Sequence, residues 1–153
     1  MVQVRRFVRL VDVICVLLVV GALMRLTPLS WFWFDPGQVI VGNGTVSYVP
    51  RIEFDREIKR PTLMRYQIVI RNLNTGNIVC DPQSAEFTYR PNARSPDEIL
   101  LHEYWTGGNR RCWPLKPDTY IMETCWTAPD TFWGLAGSKT VCRLSNPFTI
   151  TAE

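Results

Sequence analysis

The longest apolar stretch of the chain lies near its N-terminus. Residues 13–24 carry no charge, Leu10 and Val11 extend the run backwards, and residues 29–34 add apolar and aromatic side chains beyond Arg25. A helix over residues 10–29 would be about 30 Å long, which matches the hydrocarbon core of a bilayer. The pattern therefore predicts a transmembrane anchor over residues 10–30. Its lipid-facing and interfacial residues are expected to be Leu10, Val13, Leu17, Val20, Leu23, Trp31 and Trp33.

Two alternatives to a retained anchor stay open. The uncharged run of residues 13–24 also has the length of a signal-peptide core, and Val20-Gly21-Ala22 offers small residues for cleavage. In that case the mature chain starts near Leu23. A buried core helix is the least favoured interpretation. The TrpPheTrpPhe run of residues 31–34 favours the anchor, because tryptophan is enriched where lipid meets water.

The charges predict how the anchor is oriented. Arg5, Arg6 and Arg9 precede the apolar run, and positive residues stay on the cytoplasmic side. Residues 1–9 are thus predicted to be a cytoplasmic tail, residues 31–37 an interfacial aromatic linker, and residues 38–153 an extracytoplasmic domain. Residues 35–153 carry 13 of the 17 basic and 13 of the 14 acidic side chains. A neutral domain argues against nucleic-acid binding.

Beyond the linker the pattern changes to the period of β-strands. Residues 66–73 alternate, with Tyr66, Ile68 and Ile70 predicted to share one face, and the turn residues 74–77 follow them to make a hairpin. Residues 99–105 fit a strand or a short helix turn. The other predicted strands are residues 39–41, 45–54, 86–89, 120–127, 140–144 and 148–151. The chain is therefore predicted to be mainly β: a small two-sheet sandwich after an N-terminal transmembrane helix.

One short motif favours a particular kind of sandwich. Leu115, Pro117 and Tyr120 form an L-x-P-x-x-Y sequence. It resembles the tyrosine corner of immunoglobulin-like and fibronectin-like domains, which implies that the Tyr120 hydroxyl bonds back to upstream backbone. The chain departs from that pattern at Cys125, which comes five residues after the tyrosine rather than two. The usual disulfide between the sheets is therefore in doubt.

Four of the five cysteines follow the predicted anchor. Cys80, Cys112, Cys125 and Cys142 are an even set, which predicts two disulfides in an oxidising compartment. Three pairings exist. The favoured one joins Cys125, which is predicted to point outward, to Cys142 on a neighbouring strand, and leaves Cys80 with Cys112. Cys15 is expected to behave as a small apolar residue in the anchor.

The sequence offers few groups for catalysis. His102 is the only histidine, and it is expected to face solvent or to cap a strand pair. The prediction is a non-enzymatic protein with no cofactor, no metal and no small-molecule substrate. Most of the domain's tryptophans are expected in its core. The candidate partner-binding residues are Phe132, Trp133, Arg110 and Arg111. The basic residues 56–61 are interpreted as a charged loop, with lipid contact as the less favoured alternative.

The layout and several segments resemble one group of proteins. The segments are FDPG at residues 34–37, IKRP at 58–61, TGNIVCDP at 75–82 and PDTYIMETCW at 117–126. A basic tail, one span and a small β domain resemble small membrane-anchored proteins that tailed phages and prophages encode, whose activity is unassigned. The resemblance implies a bacterial inner membrane with the C-terminal domain in the periplasm.

The predicted function follows from this layout. The domain is expected to bind a protein or envelope partner, in the setting of phage–host interaction. The alternatives are a structural subunit of a membrane or virion assembly, in which the chain associates with itself, and a signal-cleaved secreted binding module. Membrane lipid is the other expected partner.

Overall fold

The chain begins with a long helix and continues as short strands. The computed structural model describes residues 2–79, 83–91, 98–106, 113–131 and 137–153, with side chains from Val11 onward except at positions 106 and 130. The helices are α1 Val2–Leu26, α2 Leu29–Phe32 and α3 Leu101–Thr106. The strands are β1 Phe34–Asp35, β2 Val39–Val41, β3 Gly44–Thr45, β4 Arg51–Phe54, β5 Glu57–Ile58, β6 Thr62–Asn72, β7 Gln83–Tyr89, β8 Glu98–Leu100, β9 Asp118–Thr131, β10 Gly137–Leu144 and β11 Phe148–Thr151. The prediction of a mainly β fold is confirmed.

The strands form a curled, sandwich-like arrangement of several sheets. The main sheet has the order β3-β11-β9-β6-β7, a smaller sheet has the order β2-β4-β8, and β1 pairs with β5. The long strand β9 lies at the centre of the main sheet. It pairs with β6 along one edge, and along the other edge with β11 near its start and β10 near its end. The two ends of β9 are about 45 Å apart, since each strand residue adds about 3.3 Å.

The predicted alternation along the two central strands is confirmed. On β6, Ile68 and Ile70 are fully buried while Gln67 is exposed. On β9, Tyr120, Met122 and Trp126 are buried, and the odd-numbered residues between them are not. A period of two gives each strand one core face and one outer face. The outward direction predicted for Cys125 follows from the same period.

The core lies between the main sheet and the smaller sheet. The smaller sheet and α3 contribute Val39, Val41, Ile52, Phe54, Leu101 and Trp105, and the main sheet contributes Met64, Ile68, Ile70, Met122 and Trp126. Burial of each such large apolar side chain stabilises the fold by about 1.5–3 kcal/mol. The core therefore depends on pairing two sheets whose strands are distant in sequence.

Two predicted segments are divided in the structure. Residues 45–54 were predicted as one strand, but β3 joins the main sheet and β4 joins the smaller one. The chain crosses between the sheets at the buried Pro50. Residues 99–105 fitted a strand or a helix turn, and the structure contains both: β8 ends at Leu100 and α3 begins at Leu101.

Two glycines permit tight turns. Gly76 has a φ of +71° in the turn that follows β6, where the Asn72 backbone N–H donates to the Asn77 carbonyl. The predicted turn is thus present. Gly37 has a φ of +55°, and a Cβ there would lie 1.4 Å from the Asp55 carbonyl oxygen. Glycine at position 37 therefore lets the β1–β2 turn lie against the segment between β4 and β5.

The N-terminal border of the domain differs from the prediction. Residues 31–37 were predicted as an interfacial linker with Trp33 at the membrane surface. Instead Trp33 is 8% exposed and Phe34 is fully buried, and both belong to the core together with Leu29. The prediction for Trp33 is therefore wrong. Its neighbour Trp31 is 65% exposed.

Candidate functional site

Helix α1 has apolar side chains on every side. Each residue from Val13 to Val20 is apolar and exposed, and the exposed fractions of Leu17, Leu18 and Leu23 are 65%, 68% and 60%. Successive residues of a helix are about 100° apart, so eight in a row point in all directions around its axis. This stretch of α1 therefore has no face packed against the domain. Among the residues whose side chains the structure describes, no helix combines the length and the apolar character needed to cross a membrane.

The end of α1 is bonded directly to the domain. The Lys139 ammonium of β10 donates to the carbonyl oxygens of Arg25, at 2.9 Å, and of Thr27, at 2.5 Å. A cation is favourable here because the last carbonyls of a helix are unsatisfied and carry partial negative charge. Burial of the Lys139 side chain lowers its pKa. These bonds join positions separated by more than 100 residues.

A second lysine holds α2. Lys59 follows β5. Its side-chain ammonium donates to the Ser30 carbonyl at 2.9 Å, and its backbone N–H donates to the Trp33 carbonyl at 2.8 Å. The Glu57 carboxylate lies 3.5 Å from the same ammonium. The part of the chain between α1 and β1 is thus bonded to the domain by main-chain and side-chain donors. We call the surface formed by Arg25, Leu26, Trp31, Phe32, Lys59 and Lys139 the junction face.

A second candidate site is an aromatic opening at the side of the sandwich. Between the edge strand β7 and strand β8 lies a cavity of about 120 Å³. The rings of Tyr66 and Tyr104 stack at 5.2 Å, and the Phe54 ring meets Tyr104 edge-on at 4.8 Å. The Arg56 guanidinium lies 5.0 Å from the Phe54 ring. We call this group of rings, with Phe87 and Tyr89, the aromatic mouth.

The inner rings of the aromatic mouth are buried and the outer ring of Phe87 is exposed. Burial raises the pKa of the Tyr104 phenol well above its ordinary value, so that hydroxyl stays neutral at any physiological pH. Towards the outside, Phe87 is 51% exposed on β7. Strand β7 pairs only with β6 among the described strands, and along residues 84–89 its other edge has no described strand beside it. The mouth can hold an apolar side chain beside an edge strand.

The tyrosine corner predicted from sequence is present. The Tyr120 hydroxyl donates to the Lys116 carbonyl at 2.7 Å. Beside it, the Asp118 carboxylate accepts from the Asn72 side-chain amide at 2.6 Å, which lowers the pKa of Asp118. A groove of about 730 Å³ runs past these residues and Trp113. The Asn72 amide in this groove is already bonded to Asp118, which favours a structural role for it.

One of the two predicted disulfides can be assigned. Cys125 and Cys142 lie directly opposite each other on β9 and β10 and are joined on the outer face of the main sheet. That part of the favoured pairing is confirmed. Glu123 lies near both sulfurs. Sulfurs joined in a disulfide have no thiolate to offer a metal ion.

His102 does not lie where it was expected. It was predicted to face solvent or to cap a strand pair, but it is on α3 and only 7% exposed. Helix α3 packs its side chains against the core, since Leu101 and Trp105 on the same helix are fully buried. Trp105 and Trp126 are buried as predicted for most tryptophans of the domain.

Several predicted site residues fall outside the described part of the chain. They are the candidate partner-binding residues Phe132, Trp133, Arg110 and Arg111, and the cysteines Cys80 and Cys112. Of Arg5, Arg6, Arg9 and Leu10, only the helical backbone is described. Lys139 and the aromatic mouth were not found from sequence, because no local pattern marks a lysine or a tyrosine whose partners lie far along the chain.

Comparison with known proteins gives no relative for this chain. No protein family, no curated protein and no solved structure matches it.

Proposed function

We propose that this chain is a single-pass membrane protein in which α1 is the anchor and the β domain is a non-enzymatic binding module. The observation that carries the proposal is the exposure of apolar side chains all around α1, from Val13 to Val20. A helix that is apolar on every side needs an apolar surrounding, and the domain does not supply one along this stretch. A bilayer is the surrounding proposed here, and the span would also have to take in residues of α1 that precede Val11, since the part of α1 with described side chains is not by itself long and apolar enough to cross.

The orientation is proposed from charge and redox chemistry. Arg5, Arg6 and Arg9 precede the apolar stretch and favour a cytoplasmic N-terminus. The Cys125–Cys142 disulfide supports an oxidising compartment for the domain. With the resemblance to phage and prophage proteins, this leads us to propose the bacterial inner membrane, with the domain in the periplasm and an envelope protein as partner.

We place the partner contact at the aromatic mouth. Among the described strands β7 pairs only with β6, which leaves its other edge along residues 84–89 for a partner strand, and Phe87 and Tyr66 offer ring surface beside it. An extended segment of another chain would add to β7 by main-chain hydrogen bonds and put an apolar side chain into the mouth. The finer fold assignment, an immunoglobulin-like or fibronectin-like sandwich, is also proposed, and the bond from Tyr120 to Lys116 supports it.

The proposal is tested by extraction of membranes with alkaline carbonate. The full-length chain should stay in the membrane pellet and keep its full mass. The double variant Leu17→Lys/Leu18→Lys should move to the soluble fraction, because each lysine at a span centre costs about 2.5–3.5 kcal/mol. The matched control is Leu144→Lys on β10, whose side chain is 61% exposed; it should stay in the pellet.

The other outcomes separate the alternatives. Wild-type protein released by carbonate at full length would refute the anchor. A soluble chain that starts near Leu23 would instead support the signal-cleaved binding module. For the aromatic mouth, Phe87→Lys should abolish capture of the partner while Leu63→Lys, at a similarly exposed position on β6, should not. Crosslinking of the wild-type chain to itself that Phe87→Lys removes would assign the mouth to self-association.

A further inference from the structure

We infer that the β domain rests on the lipid surface through the junction face, whose aromatic rings enter the interface and whose cations meet lipid phosphates. This inference rests on the proposed function, in which α1 is the membrane anchor. The occupant of the junction face would be the headgroup layer of an anionic phospholipid bilayer.

The first step of the argument is the short connection between α1 and the domain. Helix α1 ends at Leu26, and Leu29 is already buried in the domain core with 4% exposure. Lys139 holds the carbonyls of Arg25 and Thr27, and Lys59 holds that of Ser30. A connection of two residues with donors on both sides cannot act as a spacer. Wherever the end of α1 lies, β10 and α2 lie beside it.

The second step is the character of the side chains around that point. Leu26 is 79% exposed, Trp31 65% and Phe32 39%, while Trp33 and Phe34, which follow them, are buried. Tryptophan and phenylalanine at the end of a span are typical of the boundary between hydrocarbon and headgroups. The two tryptophans of this aromatic run therefore have different roles. Trp33 packs in the domain core, whereas the exposed Trp31 is available to the lipid interface.

The third step is charge. Arg25, Lys59 and Lys139 bring three cations to the end of α1, and Arg60 follows as an exposed fourth. Glu57 is the acidic group that lies close to Lys59, at 3.5 Å. An ammonium has three N–H donors, and the bonds of Lys139 to carbonyls use two of them. Basic groups next to a span bind the phosphates of anionic lipids.

The inference predicts which parts of the domain lie near lipid. Ser138 is an exposed residue of β10 next to Lys139. Thr75 is an exposed residue of the turn after β6, where Asn74 bonds to Asp118 at the opposite end of β9. The two ends of β9 are about 45 Å apart. If the junction face rests on lipid, position 138 is at the headgroups and position 75 is far above them.

The experiment uses the full-length chain in vesicles of phosphatidylcholine and phosphatidylglycerol that carry a quencher at the headgroup. In a Cys15→Ser background, Ser138→Cys and Thr75→Cys are each labelled with a small fluorophore. We expect strong quenching of the label at position 138 and none at position 75. The Cys15→Ser chain without a new cysteine is the labelling control.

The charge requirement is tested in the same system. Lys59→Gln/Arg60→Gln, or removal of phosphatidylglycerol, should reduce the quenching at position 138 several-fold. The matched control Lys116→Gln, near the opposite end of β9, should not change it. Equal quenching in neutral and anionic vesicles would overturn the proposed role of the cations.

The remaining outcomes separate this inference from the proposed function. If alkaline carbonate releases the chain from the vesicles, the anchor itself is wrong. If the chain resists carbonate but position 138 is not quenched, α1 is an anchor and the domain does not rest on lipid. Crosslinking between two chains through position 138, in place of quenching, would assign the junction face to a second copy.

Discussion

Replacement of Phe34 by alanine tests whether the aromatic segment after the helix belongs to the domain. Phe34 is fully buried, and its ring centroid lies 5.1 Å from that of Tyr89 and 5.6 Å from that of Trp126. Truncation of a buried phenylalanine removes its transfer free energy and leaves a cavity, which together cost about 3–5 kcal/mol. A small domain has about 5–15 kcal/mol of stability in total. Phe34→Ala should therefore remove a large part of it.

The assay is urea unfolding of the full-length chain in mild detergent, followed by far-ultraviolet circular dichroism. With a slope of about 2 kcal/mol per molar urea, the loss corresponds to a midpoint lowered by about 2 M. The matched control is Trp31→Ala, because Trp31 lies three residues earlier and is 65% exposed. It should change the free energy of unfolding by less than about 0.5 kcal/mol. If Phe34→Ala shifts the urea midpoint as little as Trp31→Ala does, Phe34 is not a core residue and the segment is a linker.

Three further predictions concern the domain. Tyr120→Phe deletes the bond to the Lys116 carbonyl and should lower the free energy of unfolding by about 1 kcal/mol in the same assay. Cys125→Ser/Cys142→Ser opens a link with a sequence separation of 17 and should cost about 3 kcal/mol, measured against the wild-type chain without reductant. Asp118→Asn should lower the urea midpoint at neutral pH. The difference in midpoint between this variant and the wild-type chain should become smaller well below pH 3.8.

The sign of the pH effect follows from the hydrogen bonds of Asp118. The Asn72 amide, the Thr119 backbone N–H and the Asn74 amide favour the charged carboxylate, and they lower its pKa below the ordinary 3.8. A lowered pKa contributes stability above the ordinary value and loses it as the pH falls through the folded value. A gap between wild type and Asp118→Asn that stays constant down to low pH would contradict this account.

The predictions for Tyr120 and for the disulfide each have a matched control variant. Tyr48→Phe also removes a phenol hydroxyl, from a side chain that is 57% exposed, and should leave the urea midpoint unchanged. Cys15→Ser removes a free thiol on α1 and should not alter the response of the domain to reductant. A loss in Tyr48→Phe as large as that in Tyr120→Phe would refute the role given to the tyrosine corner.

The sequence by itself determined the features that depend on local periodicity. The faces of β6 and β9 follow from a period of two, and that period placed Cys125 on the outside. From there, a cysteine on a neighbouring strand was its natural partner, and Cys142 is that partner. The bond from Tyr120 to Lys116 spans four residues, so the short motif of residues 115–120 was enough to predict it.

Only the tertiary structure decided which aromatic residues belong to the core. Trp31 and Trp33 belong to the same aromatic segment, yet Trp31 is exposed and Trp33 is buried in the core. Composition cannot separate them, because their burial depends on where the sheets leave space for a ring. The same holds for Lys139, whose carbonyl partners precede it by more than 100 residues. Contacts of this kind follow from strand order and register, which no local pattern records.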